Sequence, residues 1–307
     1  MKPSASSPWR LWFLLFFAAL GSLVSFAASA ELSPFASRVW QRDDGLPQDS
    51  VQAILQRRDG YLWIGTQQGL VRFDGVRFTF PEFFGHPEIT TLSCMALHES
   101  SDGSFWMGTE GLGLGCWRNG QFFHYAKTNG LSGDVVRAIC ESRDGSIWIA
   151  TETGLSHFQN GKFQLFTEKD GLANHLVRSI YEDRQSNLWI GTDTGLNLFR
   201  NGVITTYPLT NGLSRQSVRV IFQDREDNLW IGLQGGLTKI KDGVVTHFTK
   251  AGSSSDNIVS AIAEDKKGNL WVGTYGGLNR FDNGKLVTEL NHENSSYDLI
   301  YSILEDG

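Results

Sequence analysis

A tryptophan strand returns six times at a nearly constant interval, and that period restricts the fold more than any other feature of the chain. The copies are Leu62-Trp63-Ile64-Gly65-Thr66, Phe105-Trp106-Met107-Gly108-Thr109, Ile147-Trp148-Ile149-Ala150-Thr151, Leu188-Trp189-Ile190-Gly191-Thr192, Leu229-Trp230-Ile231-Gly232-Leu233 and Leu270-Trp271-Val272-Gly273-Thr274. Their tryptophans stand 41 to 43 residues apart. Self-similarity at such a period marks one supersecondary unit stacked on copies of itself, because a single unit cannot bury its own hydrophobic face. The repeat also accounts for the high Gly (34) and Trp (10) contents.

Each unit reads as four short strands. An apolar run such as Val177-Arg178-Ser179-Ile180-Tyr181 is followed by a polar turn, the Trp strand, a Gly-Leu strand and a second tight turn. That second turn is Asp74-Gly75, Asn119-Gly120, Asn160-Gly161, Asn201-Gly202, Asp242-Gly243 or Asn283-Gly284, and Asn-Gly and Asp-Gly are the strongest short hairpin signals. Strands that are apolar on both faces, as at Val218, Val220, Ile221 and Phe222, must be covered on both sides. The expected fold is therefore all-β, a β-propeller of four-stranded antiparallel blades. Each Trp is expected to fill the gap between neighbouring blades, with the Gly two residues on permitting close approach.

The ends carry further expectations. Ser37-Arg38-Val39-Trp40 with Asp44-Gly45-Leu46 matches the outer strand and exit of an internal unit, as in a propeller that closes by adding an N-terminal strand to its last blade. Ile300-Tyr301-Ser302-Ile303-Leu304 reads as the first strand of a seventh unit. The expectation is six complete blades plus that strand, a truncated seven-bladed ring. Residues 1–30 carry only Lys2 and Arg10 as charges, are apolar from Leu11 to Val24 and end in Ala28-Ser29-Ala30, the pattern of a cleaved signal peptide. An uncleaved anchor is the alternative reading. Residues 31–307 are then a periplasmic propeller. The net charge of −6, without Lys/Arg clusters, argues against nucleic acid and against an anionic membrane surface. Cys94, Cys116 and Cys140 have no metal-ligand spacing and are expected to be structural free thiols.

No catalytic fingerprint is present, and no catalytic residue, metal or cofactor is assigned. The acids ahead of each Trp strand (Glu99, Glu141, Glu182, Asp183, Asp224, Glu264 and Asp265) recur too regularly for a single active site and are expected to hold turns and bind neighbouring blades. The feature that breaks the repeat lies eleven residues before the Trp. Three consecutive units carry Arg137, Arg178 and Arg219 there, where others have Gln52, Met95 and Ser260. Three guanidinium groups near the start of the innermost strands would suit a carboxylate, sulfate or uronic acid, so they are the candidate ligand-binding residues. The competing reading pairs each Arg with a local acid such as Asp134.

Trp40-Gln41-Arg42-Asp43-Asp44-Gly45-Leu46-Pro47, Asp59-Gly60-Tyr61-Leu62-Trp63-Ile64-Gly65-Thr66 and Gly69-Leu70-Val71-Arg72-Phe73-Asp74-Gly75 together resemble the two-component regulator propeller repeat. The resemblance implies the extracytoplasmic sensor region of a transmembrane receptor, with a histidine kinase or diguanylate cyclase output that this chain lacks. It implies a small extracellular ligand, with an anionic oligosaccharide suggested by the arginines. Membrane attachment would come only through missing C-terminal regions, and a homodimer of the full-length receptor is compatible with it. Two other readings stand beside the sensor: a propeller lyase or glycosidase-like enzyme acting on an anionic saccharide, and a protein-interaction scaffold using the acidic rim. Fold alone does not choose among them.

Overall fold

A computed structural model describes residues 38–81, 92–209, 215–290 and 299–305. The expected signal segment, residues 1–30, lies outside the described residues. Contacts divide the chain after Val39, and the propeller belongs to the unit that begins at Trp40.

Six four-stranded antiparallel sheets follow one another along the chain. Blade one consists of β1 (Val51–Gln56), β2 (Leu62–Thr66), β3 (Gly69–Phe73) and β4 (Phe78–Thr79). Blade two is β5 (Cys94–Glu99), β6 (Phe105–Thr109), β7 (Leu114–Arg118) and β8 (Gln121–Tyr125). Blade three is β9 (Val136–Glu141), β10 (Ile147–Thr151), β11 (Gly154–Gln159) and β12 (Lys162–Phe166). Blade four is β13 (Val177–Glu182), β14 (Leu188–Thr192), β15 (Gly195–Arg200) and β16 (Val203–Thr206). Blade five is β17 (Val218–Gln223), β18 (Leu229–Leu233), β19 (Gly236–Lys241) and β20 (Val244–Phe248). Blade six is β21 (Val259–Glu264), β22 (Leu270–Thr274), β23 (Gly277–Asp282) and β24 (Lys285–Leu290). Helical structure among the described residues is limited to short 3₁₀ turns.

The hairpins form where their turn residues allow. Asn119, Asn160, Asn201, Asp242 and Asn283 take positive φ ahead of a glycine that does the same, the backbone of a two-residue hairpin turn. Blade one departs from this: the Asp74 carboxylate accepts from the backbone N–H of Val76 (2.8 Å) and Arg77 (2.7 Å), making a wider Asx turn.

The blades are joined by the Trp strand. Trp63 packs on Phe105 of the next blade, Trp106 on Phe158, Trp148 on Phe199 and Trp230 on Phe281. Trp189 sits in a cluster with Val218, Ile221 and Ile231 of blade five. Each buried Trp removes enough apolar surface to contribute on the order of 2–3 kcal/mol. The glycine two residues later is required by contact: a Cβ on Gly108 would lie 2.5 Å from Val136, and one on Gly232 2.7 Å from Val259. Gly65 meets Cys94 and Gly191 meets Val218 in the same way.

Gly273 meets Ile300 in this series, and Ile300 N donates to the Thr274 carbonyl at 3.1 Å. Residues 299–305 thus occupy the place of a seventh inner strand against blade six. No strand is assigned over 38–40, so the expected outer strand does not form there. Such a strand needs the third strand of a closing blade as its partner, and the described residues at the seventh position are 299–305 alone. Trp40 instead stacks edge-on against Phe73 of blade one, with ring centroids 5.4 Å apart. All three cysteines are free thiols, and burial pushes Cys94 and Cys116 up to about 12.

Candidate functional site

The two ends of each inner strand are built differently. At the end that runs into the Trp hairpin, the chemistry recurs from blade to blade. The last residue of the strand accepts a hydrogen bond from the preceding blade's turn: Glu99 from Arg58 N (2.9 Å), Glu141 from Ser101 N (2.8 Å), Gln223 from Arg184 N (2.9 Å) and Glu264 from Arg225 N (2.8 Å). Glu182 takes Arg143 N, and Glu305 takes Lys266 N (2.9 Å), which extends the series to the seventh segment. The acid or hydroxyl six residues before the Trp accepts its indole N–H. Ser100 and Ser142 do so in blades two and three, and Asp183, Asp224 and Asp265 in blades four to six, at 2.7 to 3.0 Å. The recurrent acids are therefore architectural, as their regularity suggested. Asp265 shows the effect on its proton: burial pushes it up, but the donors from Asn269, Trp271 and the backbone prevail and hold it at about 2.

At the opposite end every inner strand of the six blades carries a β-bulge. In blade four Val177 pairs with Thr192 and Ser179 with Gly191, leaving Arg178 without a partner in the ladder. The equivalent unpaired residues are Gln52, Met95, Arg137, Arg219 and Ser260. A bulge kinks its strand and re-aims a side chain, a device common beside binding sites. The three candidate arginines thus share one structural position on adjacent inner strands, and all are half-buried.

Their partners differ. Arg178 lies on Asp193, with Nε and Nη2 at 2.8 and 2.7 Å from Oδ1. Arg219 donates from Nη1 to the Tyr275 hydroxyl (2.8 Å) with its guanidinium over that ring, 5.1 Å from the centroid. Tyr275 in turn stacks edge-on against Tyr301, the bulge-position residue of the seventh segment, at 5.8 Å. The Nε atoms of Arg137 and Arg219 are buried with no hydrogen-bond partner among the described residues. Burial, followed by the neighbouring charge of Arg178, holds the Arg137 guanidinium below its ordinary value against the pull of Glu110, Glu152 and Asp193. Burial would raise Asp193, but the hydrogen bond and charge of Arg178, with the charge of Arg219, keep its carboxyl below the usual range.

Local pairing therefore holds for Arg178, with Asp193 as the acid. Asp134 is engaged elsewhere, since its carboxylate accepts from Lys127 N at 2.8 Å and fixes the loop ahead of blade three. Sequence reading missed the residue four places after the Trp, which is Gln67, Glu110, Glu152, Asp193, Gln234 or Tyr275. Aligning the copies at that position, as at the arginine position, exposes the same kind of break in the repeat. The two scattered histidines of interest are structural: His157 stacks on Trp148 at 4.0 Å, and His247 Nδ1 is 2.9 Å from the Thr238 hydroxyl.

Fold and site together define an all-β repeat propeller with recurrent seams and a non-identical ring of bulges. The two component regulator propeller family matches its repeats at residues 45–68, 130–153, 171–194, 212–235 and 252–276. Trp106 of blade two lies outside those stretches. A histidine kinase of Formosa agariphila is 39% identical over 72 residues, covering 24% of this chain and 5% of that protein. The extracellular domain assigned to a hybrid two component system of B. thetaiotaomicron superposes with a TM-score of 0.70 at 22% identity, over 84% of this chain and 36% of that one. Virginiamycin B lyase of Staphylococcus aureus superposes with a TM-score of 0.62 at 18% identity, over 80% and 86% of the two chains. The chain thus spans a small part of the histidine kinase and about a third of the receptor domain, and the structural likenesses are likenesses of fold.

Proposed function

We propose that this propeller is the extracytoplasmic, ligand-sensing region of a transmembrane signal-transduction protein. In this reading residues 1–30 direct export, the propeller is itself non-catalytic, and the output resides in a histidine kinase or diguanylate cyclase module. The repeat family and the fold shared with an extracellular receptor domain support it. We further propose that the ligand is a small anion, a saccharide carboxylate or sulfate, held at the Arg137–Arg178–Arg219 arc.

The observation that carries the ligand site is the pair of buried, unpartnered guanidinium Nε atoms of Arg137 and Arg219 on either side of the Arg178–Asp193 pair. A buried N–H left unmade is costly, and an anionic oxygen is the partner that suits a guanidinium best. Arg178, neutralised by Asp193, braces the arc, and its two neighbours supply the donors. The acids nearby are already engaged, since Glu152 accepts from Asp134 N (3.2 Å) and Val135 N (2.9 Å). The lyase likeness brings no second reading at this level of identity.

Calorimetric titration of the propeller with D-galacturonate and with sulfate tests the ligand class. Binding that is lost in Arg137→Ala/Arg178→Ala/Arg219→Ala supports the site, and binding unchanged in that variant refutes it. Export is tested by fusing residues 1–40 to alkaline phosphatase, which is active only outside the cytoplasm.

A further inference from the structure

At the opposite, uniform end of the blades one seam differs from the others. Five residues before the Trp, successive blades carry Arg58, Ser101, Arg143, Arg184, Arg225 and Lys266, so Ser101 is the one uncharged member. Four of these arginines reach across the seam to the turn of the next blade. Arg58 donates to the carbonyls of Ser101 (3.0 Å) and Ser100 (3.1 Å), Arg143 to that of Asp183 (3.3 Å), Arg184 to that of Asp224 (2.7 Å) and Arg225 to that of Lys266 (3.1 Å). Their stems pass the residue that ends the next inner strand, with the Nε atoms of Arg143 and Arg225 at 3.9 and 3.8 Å from Glu182 and Glu264. The molecule thus shows four times how this seam binds a guanidinium.

The seam between blades two and three has the same acceptors and a different residue facing them. Ser101 satisfies only Glu141, through its N–H (2.8 Å) and its hydroxyl (2.5 Å). The carbonyls of Ser142 and Arg143 correspond to those that bind arginine elsewhere, and among the described residues no side chain is hydrogen-bonded to them. A groove of about 330 Å³ runs along this seam, lined by Ser101, Asp102, Glu141, Asp144 and Gly145, with Arg118 at its outer side. The equivalent groove at the next seam, about 300 Å³, has Arg143 in its wall where this one has Ser101. Arg118 does not substitute for the missing arginine: its guanidinium lies over Phe123, 5.0 Å from the ring centroid. His98 is 3.6 Å from Glu141 and is held below the ordinary histidine value first by its burial.

We infer that this groove is a recognition site for an arginine side chain supplied by a peptide segment, which takes the place that Arg58, Arg143, Arg184 and Arg225 take at the other seams. The planar fork of a guanidinium matches a carboxylate flanked by two turn carbonyls, whereas an ammonium reaches fewer of them in one geometry. The site is at the far end of the inner strands from the arginine arc and does not depend on it.

The test is an amide-resolved NMR titration of the full chain with N-acetyl-arginine N-methylamide, alongside the citrulline, lysine and methylguanidinium counterparts. The expected result is saturable, millimolar binding that shifts the amides of Ser101, Asp102 and Gly145, weaker for lysine and missing for citrulline. Ser101→Arg places the missing side chain in cis and is expected to weaken binding at least about tenfold. Should that variant fail to fold, Glu141→Gln gives the same readout. Absence of saturable shifts, equal binding of citrulline, or undiminished binding in Ser101→Arg would overturn the site. Methylguanidinium binding as tightly as the blocked arginine would overturn its assignment to a peptide.

Discussion

The two ends of the inner strands solve different problems within the same six described blades. The end at the Trp hairpin repeats its contacts from blade to blade: the indole packs on the next blade, and the turn N–H meets the side chain that ends the next inner strand. The bulged end repeats its backbone and varies its side chains, from Gln52 through the three arginines to Ser260 and Tyr301. A contact present in each of six blades supports the ring. A residue present in three of them is free to answer to something else. Mutations at the two ends should therefore separate stability from binding, and that separation can be broken experimentally.

The largest effect is expected at a seam. Trp230 is buried, packs on Phe281 and donates to Asp224 at 2.7 Å. Trp230→Ala should cost about 3–5 kcal/mol by cavity formation, read as a lower urea midpoint. A loss below about 1 kcal/mol would mean that the seams do not carry the fold in the way described.

Next comes a swap between two turn chemistries. In blades four to six an Asp six residues before the Trp holds the turn; Asp183 accepts from Gln185 N (2.9 Å), Asn187 N (2.8 Å), Asn187 Nδ2 (2.8 Å) and Trp189 Nε1 (2.8 Å). In blade three Ser142 takes the indole and Asp144 takes the Ser146 N–H (2.9 Å). Asp183→Ser should cost about 1–3 kcal/mol, since it strands several buried donors. Adding Gln185→Asp and Asn187→Ser rebuilds the blade-three arrangement and should recover most of that loss in the same urea experiment. Failure to recover would show that the turns are not interchangeable parts.

The period of the tryptophans made the strands, the hairpins and the seams legible before any coordinates, because each depends on spacing and on which residues tolerate positive φ or close approach. Three things were not legible. A bulge adds a residue without altering the period, so the sequence showed that Arg178 differs from Ser260 but not that both are re-aimed. Asp193 reaches Arg178 across a hairpin, whereas Asp134, nearer to Arg137 in sequence, is occupied by Lys127 N; contact here follows the ladder register and not sequence distance. The strand expected at Arg38–Trp40 needed a partner strand, and local similarity to other units says nothing about whether one is present.

At the variable end the expected pattern reverses. Removing Arg137, Arg178 and Arg219 together should reduce anion affinity by at least about tenfold, since hydrogen bonds to charged groups contribute about 1.5–3 kcal/mol each. The urea midpoint should change little, because Arg178 and Asp193 form a pair with 22% and 40% side-chain exposure that solvent screens. A destabilisation as large as that of Trp230→Ala would reassign the arc to the architecture.

The smallest effect, and the finest test of the comparison, is its response to acid. His98, His157 and His247 lie within the blades and seams, and burial holds each of them below the ordinary value of 6.5. A histidine with a depressed folded pKa binds its proton more readily when unfolded. Its contribution to stability is therefore complete above 6.5 and is lost as pH falls through the folded value. The arc behaves otherwise: arginine stays protonated in proteins, and Asp193, held below its usual range, stays ionised over the same interval. Lowering the pH from about 7.5 to 5, a range in which histidine is the side chain whose ordinary pKa falls, should reduce the melting temperature while leaving galacturonate affinity nearly constant. His157→Phe, which keeps an aromatic ring on Trp148, should flatten part of that melting curve. Affinity that falls in step with the melting temperature would show that the two ends of the strands are coupled after all.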